Sequence, residues 1–184
     1  EGEITLQEFD ERNLLDTVTR GSGTPDAATE SHAYDAEGNR TLYTDGRGHP
    51  HITTFDGFGR VQSATDPLGQ RTAMTYDDGS NVVDSRSFDS GGTLLAASGS
   101  TFDLRRRPKS ALSRLWTGSD ASGARVLTSS TTYDAAGNAL SMTDAMGRSA
   151  HQTFDAAERR VTATDAAGNR TEWALDGAGN ARAV

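Results

Sequence analysis

The stretch from Tyr34 to Gly79, YDAEGNRTLYTDGRGHPHITTFDGFGRVQSATDPLGQRTAMTYDDG, decides the fold. Its aspartates Asp35, Asp45, Asp56, Asp66 and Asp77 are spaced 10, 11, 10 and 11 residues apart, and Asp134, Asp144, Asp155, Asp165 and Asp176 repeat those intervals. A search for self-similarity comes before any residue-level reading, because a missed repeat miscalls the architecture. Here it finds a 21-residue unit of two half-units, written twice in each of two cassettes, 34–79 and 133–180. The first half-unit opens on an aromatic residue and Asp: Tyr34-Asp35, Phe55-Asp56, Tyr76-Asp77, Tyr133-Asp134, Phe154-Asp155 and, with Leu in place of the ring, Leu175-Asp176. The second opens on Thr-Asp: Thr44-Asp45, Thr65-Asp66, Thr143-Asp144 and Thr164-Asp165.

Glycine follows three residues after these aspartates at Gly38, Gly48, Gly59, Gly69, Gly137, Gly147, Gly168 and Gly179. With Asp10, Asp89, Asp103 and Asp120 included there are 14 half-units, and Gly stands at this place in ten; the departures are Asn13, Ser80, Arg106 and Glu158. The mechanism is local. Asp at the first position of a type I turn accepts from main-chain amides two and three residues on, and Gly at the fourth tolerates positive φ. The segments between are short and rich in β-branched and aromatic residues, as in Val61–Thr65 and Thr72–Tyr76, which reads as strand. The sequence thus predicts an all-β antiparallel meander of turns and five- to seven-residue strands.

Composition gives this sheet its character. Only 28 of the 184 residues are Leu, Ile, Val or Phe, and the net charge is −8. On composition alone that is the signature of disorder and argues against a compact globular enzyme; the repeat contradicts disorder. Nine residues after the aromatic-type Asp stands Thr (Thr44, Thr65, Thr143, Thr164), whereas the sixth and eighth positions are mixed: Thr41 and Tyr43, Gln62 and Ala64, Leu140 and Met142, Val161 and Ala163. One face is therefore read as hydroxyl-bearing and the other as moderately apolar, in a single-layer sheet held by its ladders, cross-strand pairs and neighbour contacts. The centre, 80–132, is less regular, with intervals of 12, 14, 17 and 14 from Asp77 to Asp134, read as longer loops or longer strands. Gly21 to Ser31 reads as an insertion loop. Both ends fall inside the repeat, which points to a piece of a longer array.

Other classes fall away. No run approaches the roughly 18 apolar residues of a membrane span, and no leader opens the chain. An acidic balance repels nucleic acid and anionic membranes. The absence of Cys removes disulfide scaffolds and thiolate metal sites.

The Tyr/Phe-Asp-x-x-Gly-Asn/Arg phrases alternating with Thr-Asp-x-x-Gly resemble the YD repeats of the RHS family over nearly the whole chain, most densely at residues 34–79 and 133–180. The resemblance implies that residues 1–184 are one repeat segment of a curved, spiralling sheet. It is similar to the shells of bacterial RHS and Tc toxins, which commonly enclose a C-terminal toxic domain, and to the related shell of teneurins, which serves adhesion. The implied partners are the rest of a longer chain and its cargo, in a bacterial secreted or cell-surface setting. Fourteen strands at about 4.8 Å give roughly 65 Å of sheet, about half the girth needed around a cargo of about 130 residues. The chain is thus expected to be a wall segment and not a container.

Candidate chemistry is weighed against the repeat. Asp66-Pro67-Leu68-Gly69-Gln70 resembles the Asp-Pro-x-Gly-Leu motif of the family's self-cleaving protease region. Gln70 replaces the Leu, no second Asp-Pro occurs, and the phrase lies in register as a half-unit. His49-Pro50-His51 places two imidazoles at alternate positions, but they align with Gln70 and Thr72, and His32 and His151 occupy other columns. Arg105-Arg106-Arg107-Pro108-Lys109 offers a processing site or anion patch, and aligns as a degenerate turn. The repeated aspartates suggest Ca²⁺, yet each already has a turn to cap. Trp116, Trp173, Tyr43 and Phe58 invite sugar stacking, with strand-face packing the plainer account. No catalytic residue, cofactor or metal ligand is expected; the expectation is structural, with glycan binding, adhesion or end-to-end assembly as the alternative.

Overall fold

A computed structural model describes residues 4–115 and 125–182, all of it strand, turn and coil. Fifteen antiparallel strands stand in chain order in one sheet, and two short strands form a separate pair. Five-residue turns of one geometry alternate with extended segments of five and six residues in the cassettes, which is the origin of the 10/11 spacing.

The chain divides into two units. The first runs to Thr75 and adds Ser85–Leu95. It holds β1 (Thr5–Phe9), β2 (Leu15–Arg20), β3 (Ala28–Tyr34), β4 (Arg40–Thr44), β5 (Pro50–Phe55), β6 (Val61–Thr65) and nearly all of β7 (Arg71–Tyr76). Each strand pairs with its sequence neighbour, as in Leu42↔Ile52 and Tyr43↔His51 between β4 and β5. The connection after β2 is shorter than the sequence suggested: β3 begins at Ala28, and Ala28 to Ser31 pair with β2. The remaining loop turns on Gly21 and Gly23, both at positive φ.

The second unit comprises Tyr76–Asp84 and the chain from Ala96. It holds most of β9 (Leu94–Phe102), then β10 (Pro108–Leu115), β11 (Arg125–Tyr133), β12 (Ala139–Thr143), β13 (Ser149–Phe154), β14 (Arg160–Thr164) and β15 (Arg170–Glu172). The pair β16 (Ala174–Leu175) and β17 (Ala181–Arg182) follows a break at Trp173. Between the two choices left open for the centre, longer strands are found. The strand β8 (Val82–Phe88), which both units share, has 7 residues. β9, β10 and β11 have 9, 8 and 9, and Ser98-Gly99-Ser100 lies within β9. Thr117-Gly118-Ser119, Asp120 and Trp116 lie outside the described residues.

The hairpins closed after Phe9, Tyr34, Phe55, Phe102, Tyr133 and Phe154 carry a bulge that Thr-Asp hairpins lack. Tyr34 pairs with Arg40 but Ala33 with Leu42, leaving Thr41 out of the register; Gln62, Leu140 and Val161 are skipped in the same way. The extra residue resets the alternation of faces. The sixth and eighth positions therefore do not simply share a face, as period-two counting expected.

Neither unit has a dense core. Among the described residues Val18 is the one buried hydrophobic side chain, and most strand side chains are half-buried or exposed.

Candidate functional site

The recurring site is the turn itself. Thirteen of the fourteen Asp-headed turns lie within the described residues, and in all of them the Asp N–H donates to the carbonyl four residues on. In all but the Asp134 turn the fourth-residue N–H donates back to the Asp carbonyl. At Asp134 the Gly137 N–H instead reaches the carboxylate at 2.7 Å. The fourth residue lies at positive φ in every one of the thirteen. These are three-residue hairpin loops, a type I turn followed by a left-handed residue. Asn13, Ser80, Arg106 and Glu158, the four departures from Gly, adopt φ of 61–63°, so the turn dictates the backbone even where the side chain resists it.

The carboxylate acts somewhat differently from expectation. Its Oδ1 accepts from the amides two and four residues on, as at Asp144 from Met146 at 2.8 Å and Arg148 at 3.0 Å. The amide three residues on is taken by the main-chain carbonyl, which is why the carboxylate skips it. The other oxygen, Oδ2, turns to the side chain at the fourth place after Asp. Arg60, Arg107, Arg148 and Arg159 donate Nε–H there at 2.6–2.8 Å. Asn39, Asn138, Asn169 and Asn180 donate their amide at 2.8–3.2 Å. The Asn/Arg letter ending each phrase is thus the second half of the cap, a role that reading the Asp and Gly alone does not reveal.

At twelve turns these bonds hold the carboxyl below the ordinary range. At Asp35, Asp77, Asp134 and Asp165 the Asn side chain leads, and at Asp144 and Asp155 the Arg side chain. At Asp10, Asp45, Asp89, Asp103 and Asp176 the main-chain amide four residues on is the largest cause. At Asp56 partial burial pulls upward most strongly and is outweighed by Arg60 and Phe58. A carboxylate held ionised this way by its own turn has little capacity left for proton transfer or cation binding.

Successive aromatic-type turns are tied together. Arg12 donates to the Asp35 carbonyl, Arg107 to that of Asp134 at 3.3 Å and Arg159 to that of Asp176 at 2.8 Å. Arg105 reaches Ala135 O. The basic run 105–109 is therefore largely spent on its neighbour turn, with the Arg107 guanidinium 4.4 Å from the Tyr133 ring centroid. The ring before each Asp can also latch: the Tyr34 hydroxyl donates to Leu15 O at 2.9 Å and Tyr133 to Pro108 O at 3.0 Å. A hydroxyl column went unread in the sequence. Residues two before and seven after the aromatic-type Asp pair as Thr54–Ser63, Thr101–Ser110, Thr132–Ser141 and Thr153–Thr162, at 2.6–2.8 Å. The signal was there, since both positions are hydroxylated together.

The remaining candidates separate. His49 and His51 do not converge: His49 Nδ1 is 3.0 Å from Asp45 Oδ2, inside its turn, whereas His51 lies in β5 beside Tyr43, ring centroids 5.4 Å apart. His32 flanks the other side of Tyr43, also at 5.4 Å, a meeting that column counting missed because the strands bring the three into one row. Asp66 caps an ordinary turn, accepting from Leu68 and Gln70. Trp173 lies under Arg160 at 4.6 Å, and Phe58 is exposed with Arg60 5.0 Å away. Among the described residues no three His, Asp or Glu side chains are placed to hold a metal ion.

The RHS Repeat family model matches residues 55–92 and 133–170. Among solved structures, that of TcdB2-TccC3-TEV covers 96% of this chain at 16% identity and TM-score 0.35. The Tc holotoxin pore of Photorhabdus luminescens covers 98% at 16% identity and the same TM-score. The chain spans 13% of each of those chains. No match was found among curated proteins.

Proposed function

Because the chain carries RHS repeats, we propose that it is a structural, non-enzymatic segment of a bacterial secreted or surface RHS-repeat protein, part of a β-wall that encloses or presents a toxic cargo domain. The observation that carries this reading is the uniformity of the turns: carboxylate after carboxylate is capped within its own five residues and engaged in structure. On this reading the turn residues from Tyr34 to Gly179 hold strands in place and do no chemistry. The full-length parent protein tests it. The segment following the repeats should resist protease while the wall is intact and become cleavable once the wall is unfolded. A parent with no domain beyond the repeats, or a downstream segment cut as fast within the protein as when expressed alone, would overturn the cargo role.

A further inference from the structure

The repeat supplies its own control: a side chain that differs from all its column-mates at one place, together with its neighbours, is not explained by the turn or the ladder. Three such differences meet on one face of the first unit. His32, Tyr43 and His51 form a continuous cross-strand row through β3, β4 and β5. In the corresponding row of the following hairpins stand Thr53, Ala64 and Thr72, then Thr131, Met142 and Ala150. Arg40 joins them, its guanidinium 5.2 Å from the Tyr43 ring centroid and 3.5 Å from His32 Nδ1.

The ring faces of Tyr43 are covered by the two imidazoles, so the row offers a ligand its polar edges. Among the described residues neither the Tyr43 hydroxyl nor the His51 ring has a hydrogen-bond partner, and Arg40 has no carboxylate partner. The buried His32 Nε2 is also unpaired. Nearby acids are engaged elsewhere: Glu30 with Arg20, Asp45 with His49, Asp35 with Asn39. Beside the row lies a pocket of about 290 Å³ lined by Arg40, Tyr43, His51, Thr53 and Ala64, with Ile52 and Thr65. It exists because Ala64 occupies the column that Tyr43 fills one hairpin earlier. In a chain of net charge −8, a cation with unpaired phenol and imidazole beside a cavity of one-ring size selects a negatively charged, hydrogen-bond-accepting group.

We infer that Arg40, Tyr43 and His51, with the pocket beside Ala64, form a site for a small oxyanion, a carboxylate or phosphate on a solute or sugar of one-ring size. The site is independent of the wall reading above. The test follows the histidine ring signals of the 184-residue chain by NMR during titration with inorganic phosphate and, separately, glucuronate. The expected result is a saturable shift of His32 and His51 with at least one probe, none at His49 or His151, and at least tenfold weaker binding in Arg40→Gln and in Ala64→Tyr. Response to both probes marks a general oxyanion site, and to glucuronate alone a carboxylated sugar; either supports the inference. No saturable shift with either probe, an equal shift at His151, or undiminished binding in Arg40→Gln overturns it. Should Ala64→Tyr fail to fold, Arg40→Gln decides alone, since an exposed strand-start substitution leaves the ladder intact.

Discussion

The left-handed position of the turn gives the sharpest quantitative test, because the same substitution should change sign between the fourth place of a turn and the second. Gly168 lies at φ +89 and a Cβ there would meet nothing within 4 Å, so Gly168→Ala is penalised by conformation alone. An L-residue in this region costs about 1–2 kcal/mol, against about 0.4–1 kcal/mol regained from a stiffer unfolded chain. The net is a destabilisation of roughly 0.5–1 kcal/mol, by the same two terms. Gly177, second in the Asp176 turn, has equally open surroundings without positive φ, so Gly177→Ala keeps only the favourable term, about 0.4–1 kcal/mol. Glu158 stands left-handed at φ 61, and Glu158→Gly runs Gly168→Ala in reverse, gaining roughly 0.5–1 kcal/mol. For a chain of this size each kcal/mol moves the melting temperature by about 2–4 °C. Thermal unfolding followed by circular dichroism should therefore place Gly168→Ala below the parent and the other two above it. The double variant Glu158→Gly/Gly168→Ala should return to the parent within about 0.3–0.5 kcal/mol, the sites being independent. A Gly168→Ala variant as stable as the parent, or a Glu158→Gly variant less stable, would refute the claim that the turn imposes its backbone on whichever residue stands fourth.

Three further outcomes follow from the same geometry. Tyr133→Phe loses the hydroxyl bond to Pro108 O but keeps the ring under Arg107, so chemical denaturation should show a loss of about 0.5–1.5 kcal/mol, and a larger loss would mean the ring had moved. Arg107→Lys should destabilise more than Arg148→Lys in the same measurement, because Arg107 also grips Asp134 O and the Tyr133 ring while Arg148 serves its own Asp144; equal losses would remove the turn-to-turn tie. Melting temperature should hold steady from neutral pH to about 5 and fall as pH drops below about 4. The sign follows from the carboxyls, whose folded pKa values lie below their unfolded ones. Their contribution is complete above the unfolded value and lost as pH falls through the folded ones. Stability that rises on acidification would contradict the capping assignment.

Much of this architecture was legible because turn chemistry is local. Asp at one place and Gly three residues later encode a hairpin loop without reference to the rest of the chain, and their spacing fixes strand length. What escaped was whatever depends on register. The bulge at Thr41 and Gln62 leaves no letter in the sequence, yet it decides which residues share a face. The amide capture by the carboxylate was misplaced by one residue because the main-chain carbonyl takes the third amide first. The row His32, Tyr43, His51 could not be seen by comparing columns one at a time; only the pairing of three strands brings them together. Conversely, the two imidazoles that sequence proximity joined, His49 and His51, are parted because one belongs to a turn and the other to a strand.

The scarcity of large apolar residues acquires a physical meaning from these contacts. A composition test for disorder asks whether enough apolar surface is available to offset the entropy of ordering the chain. That question assumes burial in a core reached by long-range contacts. Here each ordering step is small: a loop of three residues closes a hairpin at little entropic cost, and the ladder then adds strands in chain order. The turn's polar groups find partners within five residues, as at Asp144, Met146 and Arg148. Thr and Ser pair across strands, and rings are half-covered by the guanidinium of a neighbour. Apolar burial is thereby spread thinly over many half-exposed side chains rather than concentrated at Val18. A low share of Leu, Ile, Val and Phe thus signals disorder only where no periodic turn chemistry accompanies it.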